Sequence, residues 1–170
     1  METMFRALRA DEIEVRVATV SEKGVSLLLY KDARCDQNIL DETVGSMNWQ
    51  RHHNRDNANC IVSIWDKDKA QWIEKEDTGT ESYTEKEKGL ASDSFKRACF
   101  NWGIGRELYT APHIWVSAEN CNITSYNGKF TTKDKFIVEK IDTQDGKIEQ
   151  ISIWNLSKKC RAYVKVKANA

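Results

Sequence analysis

The sequence has no long hydrophobic run, a single proline and no excess of charge of either sign. Its longest uninterrupted run of large apolar residues is residues 27–30, far below the ~18 residues that a membrane-spanning helix needs. The first residues also lack the apolar core of a secretion signal. We therefore expect no membrane association and a cytoplasmic location.

Motifs for metals and nucleotides are missing as well. No Cys-x-x-Cys pair occurs, and no cysteine stands at a zinc-finger spacing from a histidine. An odd number of cysteines without a secretion signal predicts reduced, mostly buried thiols. The five cysteines are Cys35, Cys60, Cys99, Cys121 and Cys160.

The chain has no phosphate-binding P-loop, and its one Gly-x-Gly, residues 103–105, follows a predicted helix rather than opening one. No Ser-His or Cys-His arrangement indicates a nucleophilic site. We expect no cofactor, no metal and no enzymatic activity. A metal-dependent nuclease that uses the acids of residues 66–87 stays open as a competing hypothesis.

Charge is balanced in total but not along the chain. Lys and Arg number 26, as do Asp and Glu. Residues 66–87 carry eight acids against four lysines, whereas residues 158–170 carry five basic residues and no acid. A neutral chain with such local asymmetry is compatible with a basic groove.

Hydrophobic periodicity predicts a mixed α+β fold. Alternation marks strands at 13–17 and 25–30, then a meander over 47–75, and a short helix occupies 36–44. A long helix follows, in which Phe95, Ala98, Cys99 and Trp102 share an apolar face before the glycines at 103 and 105. Segments 136–141 and 148–154 flank a hairpin turn. We expect residues 1–116 to form the core and residues 117–170 a β-hairpin extension with a basic tail, within the same domain.

The polar face of the long helix carries Lys88, Ser92 and Lys96 on one line, with Arg97 one residue further round. Lys88 and Lys96 stand ~12 Å apart at 1.5 Å per residue. Such a ridge suits phosphates of a single strand, but the residues alone favour an ordinary solvated helix face with an Asp93–Arg97 pair. Arg16, on an early strand, is open to the same two interpretations.

The segments Gly79–Ser82 and Glu87–Ala98, ending at Trp102-Gly103, resemble the signature helix of the Rad52/Rad22 family of single-strand annealing proteins. The resemblance covers about residues 10–116. The helix sequence is similar to that of members encoded by phages and prophages of Gram-positive bacteria, which would place this protein in the cytoplasm of a bacterial host.

The resemblance implies a β-β-β-α core, an antiparallel sheet packed on one long helix, that assembles into a ring of about ten or more protomers. It implies annealing of complementary single strands of DNA in recombination and repair, without ATP or metal. A recombinase or a single-strand-binding protein is the protein partner that this activity suggests.

The resemblance places Arg16, Lys96 and Arg97 in the DNA groove, and Lys88 matches a further basic position. Some relatives carry another arginine where this chain has Phe100, which could stack on a base, and Arg106 is a candidate substitute. Two further hypotheses stay open. One is a passive single-strand binder without annealing, and the second is an interaction domain whose Lys-Arg helix only forms salt bridges between protomers.

Overall fold

The computed structural model describes residues 5–81 and 86–168, which form a mixed α+β fold with antiparallel sheets and two α-helices. The fold class predicted from the sequence is thereby confirmed at this level. The helices are α1 (Ala33–Val44) and α2 (Lys86–Asn101). The strands are β1 (Glu14–Ser21), β2 (Gly24–Tyr30), β3 (Trp49–Asn54), β4 (Asn59–Asp66), β5 (Gln71–Thr78), β6 (Ile114–Ser117), β7 (Thr124–Tyr126), β8 (Lys129–Thr131), β9 (Phe136–Gln144), β10 (Lys147–Asn155) and β11 (Cys160–Lys165).

The chain divides into two compact units. Unit 1 comprises residues 1–6 and 32–105, and unit 2 comprises residues 7–31 and 106–170. Both units are therefore discontinuous in sequence.

Unit 1 consists of the meander β3-β4-β5 with the two helices. The Asp32 side chain caps α1 by accepting a hydrogen bond of 3.0 Å from the Cys35 amide, and α1 ends at Gly45, whose φ is 89°. Ile39 and Leu40 on α1 are fully buried. These caps are the local signals that delimit a helix in the sequence.

Unit 2 is built on a six-stranded sheet with the order β11-β10-β9-β1-β2-β6 and a separate hairpin of β7 and β8. Its core contains Val25, Ile114, Val116, Ile151 and Ile153, all at most 2% exposed. Strands from both ends of the sequence thus bury one apolar face together.

The boundary between residues 116 and 117 remains a prediction, but strands on both sides of it share this one sheet. The segment expected to be a basic tail contains β11. Arg161 on β11 makes two hydrogen bonds, of 2.8 and 2.7 Å, to the Glu139 carboxylate. These bonds lower the pKa of Glu139 to about 2. Because Arg161 and Lys165 belong to β11 and further lysines flank it, the sequence of this strand has the composition of a charged tail.

All five cysteines are free thiols, and four of them are buried, as the sequence predicts. Burial raises the pKa of the Cys60 thiol to about 11. Within residues 5–81 and 86–168, no helix is both long and apolar enough to cross a bilayer.

Gly24 lies where β2 and β6 approach each other closely. A Cβ at this position would lie 2.2 Å from the Val116 carbonyl oxygen and 2.8 Å from Trp115 Cζ2. We expect Gly24→Ala to destabilise the fold by about 1–3 kcal/mol or more, since overpacking of a rigid backbone contact has that cost. Urea unfolding of the variant and the wild type measures it.

The matched control is Gly146→Asn in the β9-β10 turn. Gly146 has a φ of 74° and no atom within 4 Å of its would-be Cβ, so asparagine adds backbone strain there without overpacking, and Gly24→Ala should cost more. Equal unfolding free energies for Gly24→Ala and the wild type would contradict the close approach.

Candidate nucleic-acid interface

The inner face of α2 is buried against the strands β4 and β5 of unit 1. Phe95, Ala98 and Cys99 are fully buried, and the Phe95 ring stacks on Trp49 with centroids 6.1 Å apart. At the helix end, Trp102 Nε1 donates a hydrogen bond of 2.9 Å to the Val62 carbonyl oxygen. The predicted apolar face is confirmed, and it determines which side chains of α2 point outward.

Strand β5 holds the end of α2 through polar contacts. Lys75 Nζ donates a hydrogen bond of 3.1 Å to the Asn101 carbonyl oxygen and lies 4.6 Å from the Trp102 ring centre. A cation at a helix C-terminus is favourable because the helix dipole is negative there. Asn101 Nδ2 donates a hydrogen bond of 2.9 Å to the Glu76 carbonyl oxygen.

Lys96 and Arg97 lie on the outer side of this helix. The Lys96 side chain is half-buried, and the Arg97 side chain is 45% exposed. Arg97 Nε lies 3.7 Å from Asp77 Oδ1, an ion pair that is longer than a hydrogen bond. Asp77 therefore orients the guanidinium and partly neutralises it.

The Asp93–Arg97 pair expected for a solvated helix face is not the contact that forms. The Asp93 carboxylate accepts a hydrogen bond of 2.8 Å from the Thr80 amide, and Arg97 turns to Asp77 on β5. Asp93 thus ties the segment before α2 to the helix.

Phe100 is half-buried on α2, one turn beyond Lys96. Lys88 also belongs to α2, but its side chain lies outside the described part of the structure, so its role stays a prediction. The helix accordingly brings Lys96, Arg97 and Phe100 to one outer side of unit 1.

Arg16 belongs to unit 2, on β1, with a side chain that is 57% exposed. Its Nε and Nη2 donate hydrogen bonds of 3.1 and 3.0 Å to the Glu14 carboxylate, which raise the pKa of the guanidinium. The guanidinium carbon lies 4.5 Å from the Tyr30 ring centre.

Arg106, also in unit 2, is exposed at the start of a short 3-10 helix, Arg106–Thr110. The next residue, Glu107, is buried and accepts a hydrogen bond of 2.7 Å from the Leu8 amide. The predicted site residues are therefore shared between the two units.

Two cations near Arg16 were not predicted. A groove beside β1 is lined by residues 13–17 and 132–137, and it contains Arg16, Lys133 and Lys135. Both lysines are exposed. Their Lys-x-Lys spacing is a sequence signal, but only the pairing of β9 with β1 brings them beside Arg16.

Asp66 and Asp77, two of the acids of residues 66–81, have structural roles. Lys69 donates a hydrogen bond of 2.6 Å to Asp66, which lowers the pKa of Asp66. Asp77 accepts hydrogen bonds from the Thr78 amide and from Asn101. In the part of the chain that the structure describes, no group of three His, Cys, Asp or Glu residues is placed to hold a metal ion.

A histidine also holds α2 in place. Ser94 Oγ, fully buried, donates a hydrogen bond of 2.9 Å to the Asn57 carbonyl oxygen and lies 3.4 Å from His53 Nδ1. His53 Nε2 is buried and has no hydrogen-bond partner in the described structure. Burial lowers the pKa of His53, and the nearby Arg51 lowers it further.

Part of the chain matches the model of a known protein family. Residues 57–127 match the model of the Rad52/22 family double-strand break repair protein, which confirms the resemblance to this family, whereas the phage or prophage type stays a prediction. The matched segment includes α2 and Arg106, whereas Arg16 lies before it. Searches of curated proteins and of solved structures found no match.

The low pKa of His53 predicts a pH dependence of stability. The folded pKa lies below the unfolded value of ~6.5, so the unfolded state binds more protons between the two. The contribution of His53 to the free energy of unfolding is therefore complete above about pH 6.5. It is lost as the pH falls through the pKa of His53 in the folded state. Urea unfolding between pH 7.5 and 5 should show a decline that His53→Gln flattens.

His52→Gln is the control, because His52 is the exposed neighbour on the opposite face of β3. It should retain the wild-type decline. A wild-type unfolding free energy that is constant from pH 7.5 to 5 would contradict the role given to His53.

Proposed function

From the match of residues 57–127 to the Rad52/22 family model, we propose that this protein binds the backbone of single-stranded DNA and promotes annealing of complementary strands. The proposal places it in DNA recombination and repair, acting without ATP or metal and without catalysing a covalent step. It acts as a homo-oligomeric ring, as the family resemblance implies.

One observation carries the proposal: Lys96 and Arg97 stand on the outer side of α2, inside the matched segment, while the inner side is fully buried. The packed face makes the helix a rigid support. Cations that are displayed on it can hold phosphates, which carry no sequence information. Annealing needs such contacts because the base edges must remain available for pairing.

Partial neutralisation of the arginine charges by neighbouring acids suits the annealing of DNA strands. Arg97 shares its charge with Asp77 and Arg16 with Glu14, so each contact with DNA is weak. Weak contacts that repeat around a ring add up to useful affinity, while each strand stays able to shift its register.

The first test is annealing of two labelled complementary oligonucleotides without ATP or magnesium. We expect acceleration by the wild type and its loss in Lys96→Ala/Arg97→Ala, with binding that falls by ~0.7 log units per log unit of salt for each phosphate neutralised. Binding without acceleration by the wild type would favour the passive single-strand binder. Cleavage of a labelled strand after magnesium is added would favour the nuclease.

The sedimentation mass of the double variant tests whether the Lys-Arg pair instead joins protomers. An intact oligomer with lost DNA affinity is the expected result. A broken oligomer with unchanged DNA affinity would show that the pair serves contacts between protomers.

The ion pair between Arg97 and Asp77 leads to a second prediction, on the affinity for single-stranded DNA. Asp77→Asn removes the competing anion and should tighten single-strand binding by up to about fivefold, the equivalent of the ~0–1 kcal/mol of a surface pair. Fluorescence anisotropy with a labelled oligonucleotide measures the change.

Glu74→Gln is the matched control, since it removes the same charge from the exposed, opposite face of β5. It should leave the affinity close to that of the wild type. Equal tightening in both variants would mean that only net charge matters and that Arg97 has no special part in binding.

A further inference from the structure

The exposed face of the unit 2 sheet around Arg16 is unusually apolar. Leu28, Trp115 and Ile137 are 49%, 40% and 42% exposed, and all three lie on this face. Strand register places Leu28 opposite Arg16 and Ile137 opposite Glu14. Exposed apolar groups gathered on one surface mark a place where a ligand or partner binds.

Trp115 has the geometry of a stacking platform. The indole packs against Gly24, where atoms Cζ2 and Cε2 lie within 2.9 Å of the position that a Cβ would take. Trp115 is opposite Ser26 on β2, and Ser26 Oγ is 2.5 Å from Thr19 Oγ1 on β1. A ring supported from behind by a glycine and 40% exposed to solvent can receive a flat group without rearrangement.

The distance between Arg16 and Trp115 allows both side chains to contact one continuous DNA strand. They are two strands apart and two residues offset in register, so their Cα atoms are about 12 Å apart. A strand stacked at ~3.4 Å per nucleotide covers this in about three to four nucleotides. On the other side of Arg16, the groove adds the cations Lys133 and Lys135, and its lining also includes the acids Glu14 and Asp134.

We propose that this face of unit 2 contacts single-stranded DNA, with Trp115 stacking on a nucleobase and Arg16, Lys133 and Lys135 holding phosphates several nucleotides further along the same DNA strand. The inference rests on the proposed single-strand binding and adds a contact to the base itself. Stacking occupies one face of a base and leaves its hydrogen-bonding edge free, so the contact is compatible with annealing.

The experiment compares binding of an oligothymidylate with binding of an abasic strand of equal length, which has the same phosphates but no bases. The wild type should bind the oligothymidylate about tenfold more tightly, within the range for one stacked base. Trp115→Leu should bring this ratio close to one with little effect on abasic binding. Leucine keeps apolar bulk over Gly24, and Trp115→Phe, which keeps a ring, should restore most of the ratio.

Trp72→Leu is the matched control, because Trp72 is 38% exposed but lies on β5 of unit 1. It should retain the wild-type ratio. Lys133→Ala/Lys135→Ala should weaken binding of both strands equally and reduce the salt dependence, as expected for phosphate contacts.

Each contrary outcome has its own meaning. An unchanged ratio in Trp115→Leu overturns the inference and leaves the proposed function intact. A wild type that binds neither strand overturns both. A changed sedimentation mass of Trp115→Leu with an unchanged ratio shows instead that this face contacts a second copy of the chain.

Discussion

The candidate interface of unit 1 depends on the packing of α2 against the β3-β4-β5 meander. Phe95, Ala98 and Cys99 are fully buried there, and the Trp102 indole is hydrogen-bonded to the backbone of β4. Because these contacts fix the rotation of the helix about its axis, Lys96 and Arg97 have only the outer side left. A rotation by one residue, ~100°, would bury a cation and expose an apolar group.

The cations of the candidate sites are restrained by acids and aromatic rings. Arg97 is paired with Asp77, and Arg16 is held by Glu14 over the Tyr30 ring. Such pairs contribute little to stability at an exposed surface, but they reduce the number of conformations that each long side chain must give up on binding. The arrangement orders the donors in advance and limits the strength of each contact, which suits a protein that must hold strands and let them move.

Much of the local structure follows from the sequence. The strands near 14–30, the meander and the apolar face of α2 were predicted because period-2 and period-3.6 patterns report burial directly. The short strands β7 and β8 and the strand β11 were missed. In β11, basic side chains with apolar stems mask the pattern, and its only fully inward residue is the small Ala162. The candidate residues on α2 were likewise found from sequence, through the helix motif.

The sequence by itself determined most of the helices and strands, the family resemblance and the outer position of Lys96 and Arg97, because each depends on residues close by in the chain. Only the tertiary structure decided that residues 136–165 join β1 and β2 in one sheet. That long-range pairing places Lys133 and Lys135 beside Arg16, and the pairing of β6 with β2 lays Trp115 over Gly24. The hydrophobic periodicity of the sequence does not show which distant segments pair, because the pairing depends on which apolar faces are buried together.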